Sequence, residues 1–204
     1  MDLLIGLDPS GKRNFGWCIV AHRVHMPSRP IASGLADNAS EAIVAALCCV
    51  PHDGRLVAAG IDAPLFWSRK GPRIADKRVR DAIHRAGAPH ASGTVQDVNS
   101  LRGACLVQGM LAGLELRERF PSLPITEAHP KALRWLLPAV AGISASSEHE
   151  RDAMLAAIAA WATLAHPAGW TDLLQQEAAP YSPLHAPLAY VMPGIPLFGA
   201  KQHD

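Results

Sequence analysis

The sequence lacks the paired cysteine and histidine spacings that mark a zinc site. Its 204 residues include four cysteines, none of them in a C-x-x-C arrangement, and ten histidines, none in an H-E-x-x-H arrangement. Isolated cysteines of this kind are typical of free, buried thiols in a reducing compartment. We therefore expect free thiols and no zinc site.

Long apolar runs and an excess of charge are also missing. No run approaches the roughly 18 residues that a membrane span needs, and the amino terminus carries Asp2 where a signal peptide needs a basic residue. The net charge of +1 excludes the cationic field of a histone-like binder. We therefore predict a cytoplasmic protein with no membrane partner, whose attraction for nucleic acid can come only from local basic patches.

Apolar residues, in contrast, are plentiful enough for one core. Hydrophobic residues make up 49% of the chain and charged residues 18%, which favours a single folded domain over residues 1–204. Strand-like and helix-like segments alternate, so we predict a mixed α/β fold. The predicted strands span 3–7, 15–21, 31–35, 56–61, 124–128 and 189–192; the predicted helices follow Ser40, span 98–120, begin at Pro130, and run from a Ser147–Glu150 capping box to about His166.

Two segments stand apart from this alternation. Residues 180–204 form a proline-rich tail that we expect to wrap around the domain apart from its one short strand. Residues 66–95 form a basic insert with a net charge of +5, against −4 for the rest of the chain. The insert is either a charged, solvated helix or a clamp for a phosphate backbone. As a clamp, its substrate-binding side chains would be Trp67, which would stack on a base, with Arg69, Lys70 and Arg73.

Aspartates stand at the ends of two strongly apolar strands. Asp8 follows residues 3–7 and Asp62 follows residues 56–61. If these strands are parallel neighbours, about 4.8 Å apart, the two carboxylates meet at one edge of the sheet. Two carboxylates this close in a poorly hydrated cleft need a neutralising cation, and Mg²⁺ or Mn²⁺ suits oxygen ligands. The pair therefore predicts a metal site.

Further acidic residues can join this pair. Asp152 lies in the first turns of the last helix, whose alanines permit close packing, and His149 lies on the same helix face. Glu127 ends another strand. Such a set is typical of two-metal phosphodiester hydrolysis, in which one ion activates water and the other stabilises the leaving oxygen.

Four short segments carry a resemblance to known proteins: GLDPSGKRNFGWCIV at 6–20, GIDAP at 60–64, TEAHP at 126–130 and HERDA at 149–153. They resemble the predicted nucleases of domain-of-unknown-function family 429, and the first and last are similar to motifs of Holliday-junction resolvases. The resemblance covers roughly residues 3–165 and implies a ribonuclease-H-like sheet of five strands in the order 3-2-1-4-5. It also implies divalent-metal chemistry, with acidic roles at Asp8, Asp62, Glu127 and Asp152.

We therefore predict a nuclease that uses Mg²⁺ or Mn²⁺ on DNA or RNA. In this hypothesis Asp8 bridges the ions while Asp62 and Asp152 complete their coordination. Glu127 orients water, and Lys12 contacts phosphate. Ser10 and His149 are additional candidates.

Other interpretations of the same residues stay open. Each acidic residue can serve a local role, such as a turn at Asp8 or a favourable helix start at Asp152. Residues 6–12 match part of a phosphate-binding loop, but Arg13 lacks the required hydroxyl and a strand follows where a helix is needed. An actin-like or sugar-kinase protein would need a second domain. A non-catalytic binding module and a hydrolase of small molecules are the remaining alternatives.

Overall fold

The computed structural model describes residues 1–68, 73–95 and 103–195. Arg69 and Lys70, two of the predicted substrate-binding residues, lie outside these ranges, as do the first residues of the helix predicted over 98–120.

A three-stranded antiparallel unit begins the fold. β1 (Asp2–Asp8) pairs with β2 (Phe15–Ala21), and β2 pairs with β3 (Ala32–Ala36). The β1–β2 turn is closed by a hydrogen bond from Asn14 N to Gly11 O at 3.0 Å. The predicted hairpin is therefore confirmed, and the strand after the turn rules out a phosphate-binding loop at residues 6–12.

Four further strands extend this unit into a seven-stranded sheet: β4 (Arg55–Ile61), β6 (Ile125–Glu127), β7 (Trp170–Asp172) and β9 (Leu188–Pro193). The remaining two strands, β5 (Trp67–Ser68) and β8 (Pro180–Tyr181), form a separate antiparallel pair. The order is β3-β2-β1-β4-β6-β9-β7, and the β1–β4, β4–β6 and β6–β9 pairs are parallel. The fold is thus mixed α/β, as predicted. Its main sheet has seven strands instead of the five expected, because β9 and β7 extend it beyond β6.

Helices cover both faces of the sheet. They are α1 (Ala39–Cys48), α2 (Ile74–Arg85), α3 (Ala91–Thr94), α4 (Gly103–Arg119), α5 (Pro130–Leu136) and α6 (Glu148–Ala165). Alternate residues of β1 face opposite ways: Leu3, Ile5 and Leu7 pack with α1 and α4, whereas Leu4 packs with α6. By this alternation Asp8 belongs to the α6 side.

Cap residues explain where two of these helices begin. Ser147 accepts a hydrogen bond from Glu150 N at 3.1 Å, which confirms the predicted start of α6. Asn38 rather than Ser40 caps α1, because its side chain accepts from Glu41 N. The Asn38 side chain lies three residues before Glu41, where it reaches the free amides of the first turn.

α6 packs unusually close to the sheet because it rests on glycines. A Cβ at Gly6 would overlap the carbonyl of Ala153, and one at Gly60 would overlap the carbonyl of Ala156. A Cβ at Gly16 would overlap the carbonyl of His149. Contacts on three adjacent strands therefore fix the position of α6 over β1, β2 and β4.

The basic insert is not simply a solvated helix. Val79 and Ile83 on α2 are buried against Tyr190 and Met192 of β9. Arg73 is only 2% exposed. Its predicted role as a phosphate contact is wrong, because its guanidinium is held inside the protein by Glu127 and Asp76.

The C-terminal part of the described chain is built into the sheet rather than wrapped around it. β9 lies between β6 and β7, and β8 pairs with β5.

All four cysteines are free, but Cys48 and Cys49 are exposed, so the expected burial is wrong for these two residues. In the described ranges, no helix is long and apolar enough to cross a bilayer.

Candidate functional site

Asp8 and Asp62 leave the sheet side by side. Leu7 pairs with Ile61 in the parallel β1–β4 ladder, and Asp62 N donates to Leu7 O at 2.9 Å. The next residue on β1 is Asp8, so the two aspartates occupy equivalent positions on strands about 4.8 Å apart. The prediction that these two carboxylates end neighbouring parallel strands is confirmed.

α6 brings two more groups to this edge. His149 Nδ1 donates to Asp8 Oδ2 over 2.6 Å, which joins the first turn of α6 directly to the end of β1. Asp152 is buried and lies one residue before Ala153, whose carbonyl packs on Gly6. Its Oδ1 accepts hydrogen bonds from Arg151 Nε at 3.1 Å and Nη2 at 3.0 Å.

The electrostatics of the three aspartates indicate a site that favours a cation. Burial raises the pKa of Asp62 well above its ordinary value, and the charges of Asp8 and Asp152 raise it further. Burial also raises the pKa of Asp8, despite the opposing hydrogen bond and charge of His149. The pKa of Asp152 is raised by burial against the opposing charge of Arg151. Carboxylates whose pKa values are raised by burial and by neighbouring acidic groups are typical of functional sites.

The Asp62 carboxylate is the least compensated of the three. Within the part of the chain that the structure describes, it makes no hydrogen bond and no ion pair through its side chain. In contrast, the Asp8 carboxylate is hydrogen-bonded to His149, and the Asp152 carboxylate is hydrogen-bonded to Arg151. A cation shared by these side chains would supply the partner that Asp62 lacks.

Sequence reasoning missed Lys131, the second residue of α5. Its positive charge lowers the pKa values of Asp8, Asp62 and Asp152. Its Nζ lies 3.6 Å from Glu148 Oε1, at the start of α6. The signal was its position directly after TEAHP, the segment that contains a predicted site residue.

Cys105 borders the site from α4 without being a nucleophile. Its Sγ lies 3.8 Å from the carbonyl oxygen of Asp62. Burial and the charges of Asp62 and Asp8 raise the pKa of the Cys105 thiol to about 12, so it stays protonated at neutral pH.

Glu127 does not belong to this group, although the sequence predicted a catalytic role for it. Its Oε1 accepts from Arg73 Nη2 at 2.7 Å and lies 3.1 Å from His129 Nε2. Its Oε2 accepts from Arg73 Nη1 at 2.8 Å and from Leu65 N at 2.9 Å. Both oxygens are occupied and the side chain is fully buried. We therefore assign Glu127 to the core and not to the aspartate site.

A second set of potential metal ligands surrounds Glu127. One ligand atom each from Asp76, Glu127 and His129 lie within 4.8 Å of one another. The Arg73 guanidinium already pairs with both carboxylates here, since it donates to Asp76 as well as to Glu127. In the described residues the three aspartates at the sheet edge do not meet this mutual spacing.

The other predicted substrate residues lie apart from this core. Ser10 and Lys12 are in the β1–β2 turn that follows Asp8, with Ser10 half-buried and Lys12 exposed. Trp67 lies half-buried in β5 and pairs with Tyr181, so its stacking on a base stays a prediction.

Comparison with known proteins adds no relative. The chain matches no family model, no curated protein and no solved structure. The function is therefore argued from the geometry of the aspartate site.

Proposed function

We propose that this protein is a divalent-metal-dependent phosphodiester hydrolase that acts on nucleic acid. The observation that carries the proposal is the placement of Asp8 and Asp62 at the ends of neighbouring parallel strands, with Asp152 on the helix that covers them. Burial raises the pKa values of all three aspartates, and the charges of Asp8 and Asp152 raise that of Asp62 further. A ribonuclease-H-like fold accords with this proposal, because β3-β2-β1-β4-β6 follows the order expected of that fold.

The residues present fit Mg²⁺ or Mn²⁺. Asp8, Asp62 and Asp152 offer only oxygen ligands, which both ions prefer, and Asp62 has no other partner among the described residues. In phosphodiester hydrolysis such ions activate water and stabilise the leaving oxygen. These three aspartates would hold them.

Neighbouring side chains orient the aspartates. The hydrogen bond from His149 fixes the direction of the Asp8 carboxylate, and Arg151 does the same for Asp152. Among the described residues, the second oxygen of each carboxylate accepts no hydrogen bond and would be available to a cation. The carboxylates are thus preorganised by α6, whose own position is fixed by glycines.

Basic side chains around this edge suit a polyanionic substrate. Lys12 and Arg13 lie in the exposed turn after Asp8, Lys131 comes from α5, and Arg151 comes from α6. Contacts of this type hold a phosphate backbone without reading its sequence. A nucleic acid therefore fits the site better than a neutral small molecule.

A cleavage screen tests the proposal. The purified protein is incubated with Mn²⁺, Mg²⁺ or EDTA and with single-stranded, duplex and branched DNA and RNA. We expect metal-dependent cleavage of at least one form, reduced at least about a hundredfold by Asp62→Asn. Asp53→Asn, which changes an aspartate that is 80% exposed at the opposite end of β4, is the control. Cleavage that survives EDTA or Asp62→Asn contradicts the proposal.

The alternative function, nucleotide binding, predicts a different result in a thermal-stability measurement. An actin-like or sugar-kinase-type protein would be stabilised by a nucleoside triphosphate, because a ligand that binds only the folded state raises Tm. Metal-dependent stabilisation without a nucleotide effect supports the hydrolase instead.

A further inference from the structure

Lys131 follows closely after β6, the neighbour in the sheet of β4, which ends directly before Asp62. Ala128 N donates to Ile61 O at 2.7 Å, so the chain leaving β6 is bonded to the last residue of β4. α5 starts two residues later at Pro130, and Lys131 is its second residue. This short connection starts α5, and with it Lys131, close to this edge of the sheet.

The Lys131 ammonium also lies close to the start of α6. Glu148 Oε1 lies 3.6 Å from Lys131 Nζ, and Glu148 directly precedes His149, which donates to Asp8. The ammonium group is therefore bracketed by the end of β4 and by the first turn of α6. The aspartate site lies between these two elements.

The ion pair that Lys131 forms within the protein is weak. Its side chain is 59% exposed, and a 3.6 Å pair with an equally exposed glutamate contributes little to stability. The two arginines nearby differ in this respect. Arg73 is buried against Glu127, and Arg151 donates through two nitrogens to Asp152.

We propose that Lys131 binds a non-bridging oxygen of the phosphate that the aspartate site attacks. This inference rests on the proposed function and narrows its substrate class to groups that carry a negative charge at the reacting centre. A lysine ammonium is a mobile point charge that suits a phosphate oxygen. Phosphodiesters therefore fit the site, whereas neutral esters and amides offer Lys131 no negatively charged group at the reacting centre.

Substrate binding by Lys131 variants tests this inference. We compare wild type, Lys131→Gln and Lys131→Arg, with Arg55→Gln as a control that removes one exposed positive charge at the opposite end of β4. The probe is a fluorescein-labelled single-stranded DNA, bound in Ca²⁺ and followed by fluorescence anisotropy over a salt series. Lys131→Gln should raise Kd about tenfold and reduce the salt slope by about one. Lys131→Arg should keep most of the affinity, and Arg55→Gln all of it.

Metal affinity separates substrate binding from damage to the site. Lys131 opposes cation binding because its charge lies near the three aspartates. Lys131→Gln should therefore bind Mn²⁺ severalfold more tightly while it binds DNA more weakly. Opposite changes in the two affinities are not expected from a general structural defect.

The outcomes distinguish this inference from the proposed function. Wild-type affinity and salt slope in Lys131→Gln, or no binding of the probe by wild type, overturn the inference. Weakened DNA binding by Lys131→Gln, in a protein that cleaves no nucleic acid in the screen, supports the phosphate site and contradicts the hydrolase. Metal-dependent cleavage that is lost in Asp62→Asn but has wild-type KM in Lys131→Gln contradicts the inference alone.

Discussion

At the residue scale, the carboxylates of Glu127 and Asp62 have opposite surroundings, and Glu127 is fully buried whereas Asp62 is half-buried. Glu127 is matched by Arg73, whose charge lowers the pKa of Glu127 despite the opposing effect of burial. Asp62 instead faces Asp8 and Asp152, and its pKa is raised. Glu127 therefore stabilises the folded state in its ionised form, whereas ionised Asp62 destabilises it unless a cation is bound.

Removing the charge of Asp62 should stabilise the metal-free protein. We expect Asp62→Asn to raise Tm in EDTA by roughly 2–4 °C, about 1 kcal/mol in a chain of this size, because it relieves repulsion from Asp8 and Asp152. The same variant should lose most of the Tm increase that Mn²⁺ gives the wild type. Differential scanning fluorimetry with EDTA and with Mn²⁺ measures both effects, and Asp53→Asn controls for the lost charge.

The effect in EDTA should depend on pH in a defined direction. The raised pKa of Asp62 means that the folded state holds its proton more tightly than the unfolded state. Stability from this group is present below its ordinary pKa and is lost as pH rises through the folded value. The advantage of Asp62→Asn should thus be greatest at neutral pH and vanish below pH of about 4. A lower metal-free Tm for Asp62→Asn at neutral pH would contradict this account.

At the scale of elements, the position of α6 decides whether the site forms. Asp152 and His149 reach the strand ends only because glycines let the helix backbone approach β1, β2 and β4. A side chain beneath the helix must push it outward, since the contacting atoms are backbone and cannot rotate away.

Gly6→Ala should therefore damage both stability and metal binding. We expect a loss of about 2 kcal/mol or more in the free energy of unfolding, from overpacking against Ala153. Mn²⁺ affinity should fall as well, because Asp152 moves together with Ala153. Urea denaturation and Mn²⁺ titration measure the two effects.

Gly142→Ala provides the matched control. A Cβ at Gly142 meets no atom within 4 Å, so this variant should retain wild-type stability and metal affinity. Equal behaviour of the two variants would show that the close approach of α6 is not required.

At the scale of the whole molecule, a buried ion pair joins the basic insert to the sheet in addition to the apolar packing of α2 on β9. Arg73 and Glu127 are 54 residues apart, and the pair connects the start of α2 to the end of β6. Arg73 also stacks on Phe66, with its guanidinium carbon 4.5 Å from the ring centroid. Glu127 therefore contributes to the attachment of the insert, together with the apolar face of α2.

Glu127→Gln should destabilise the protein by about 3–5 kcal/mol at pH 7, because it leaves a buried arginine with one fewer charged partner. Stability from the ionised form of Glu127 is present above its ordinary pKa and lost as pH falls through its lower folded pKa. The difference from wild type should shrink as pH falls below about 4. Urea denaturation over this pH range measures it.

Asp81→Asn is the control for Glu127→Gln, since Asp81 forms a solvent-exposed pair with Lys77 on α2. Its removal should change stability by less than about 1 kcal/mol. A loss for Glu127→Gln no larger than that for Asp81→Asn would contradict the assigned role of the buried pair.

Local patterns predict local structure in this chain, and contacts between distant residues account for the errors. The hairpin, the apolar β4 and the capping box of α6 are each defined by a few consecutive residues. The meeting of Asp8 and Asp62 was predictable because each follows an apolar strand. The burial of Arg73 was not, since in sequence it is one of several basic residues and its partner is 54 positions away. Lys131 was missed because its position directly after TEAHP is its one signal, and an exposed lysine in a helix otherwise has no distinguishing pattern.

The position of β9 has a consequence for biosynthesis. β9 lies between β6 and β7, and β7 pairs with β9. Until residue 193 has left the ribosome, β9 is incomplete and one edge of β6 stays unpaired in the nascent chain. Translation must therefore pass that point before this half of the sheet can assemble, and until then the emerging chain is a candidate client for chaperones.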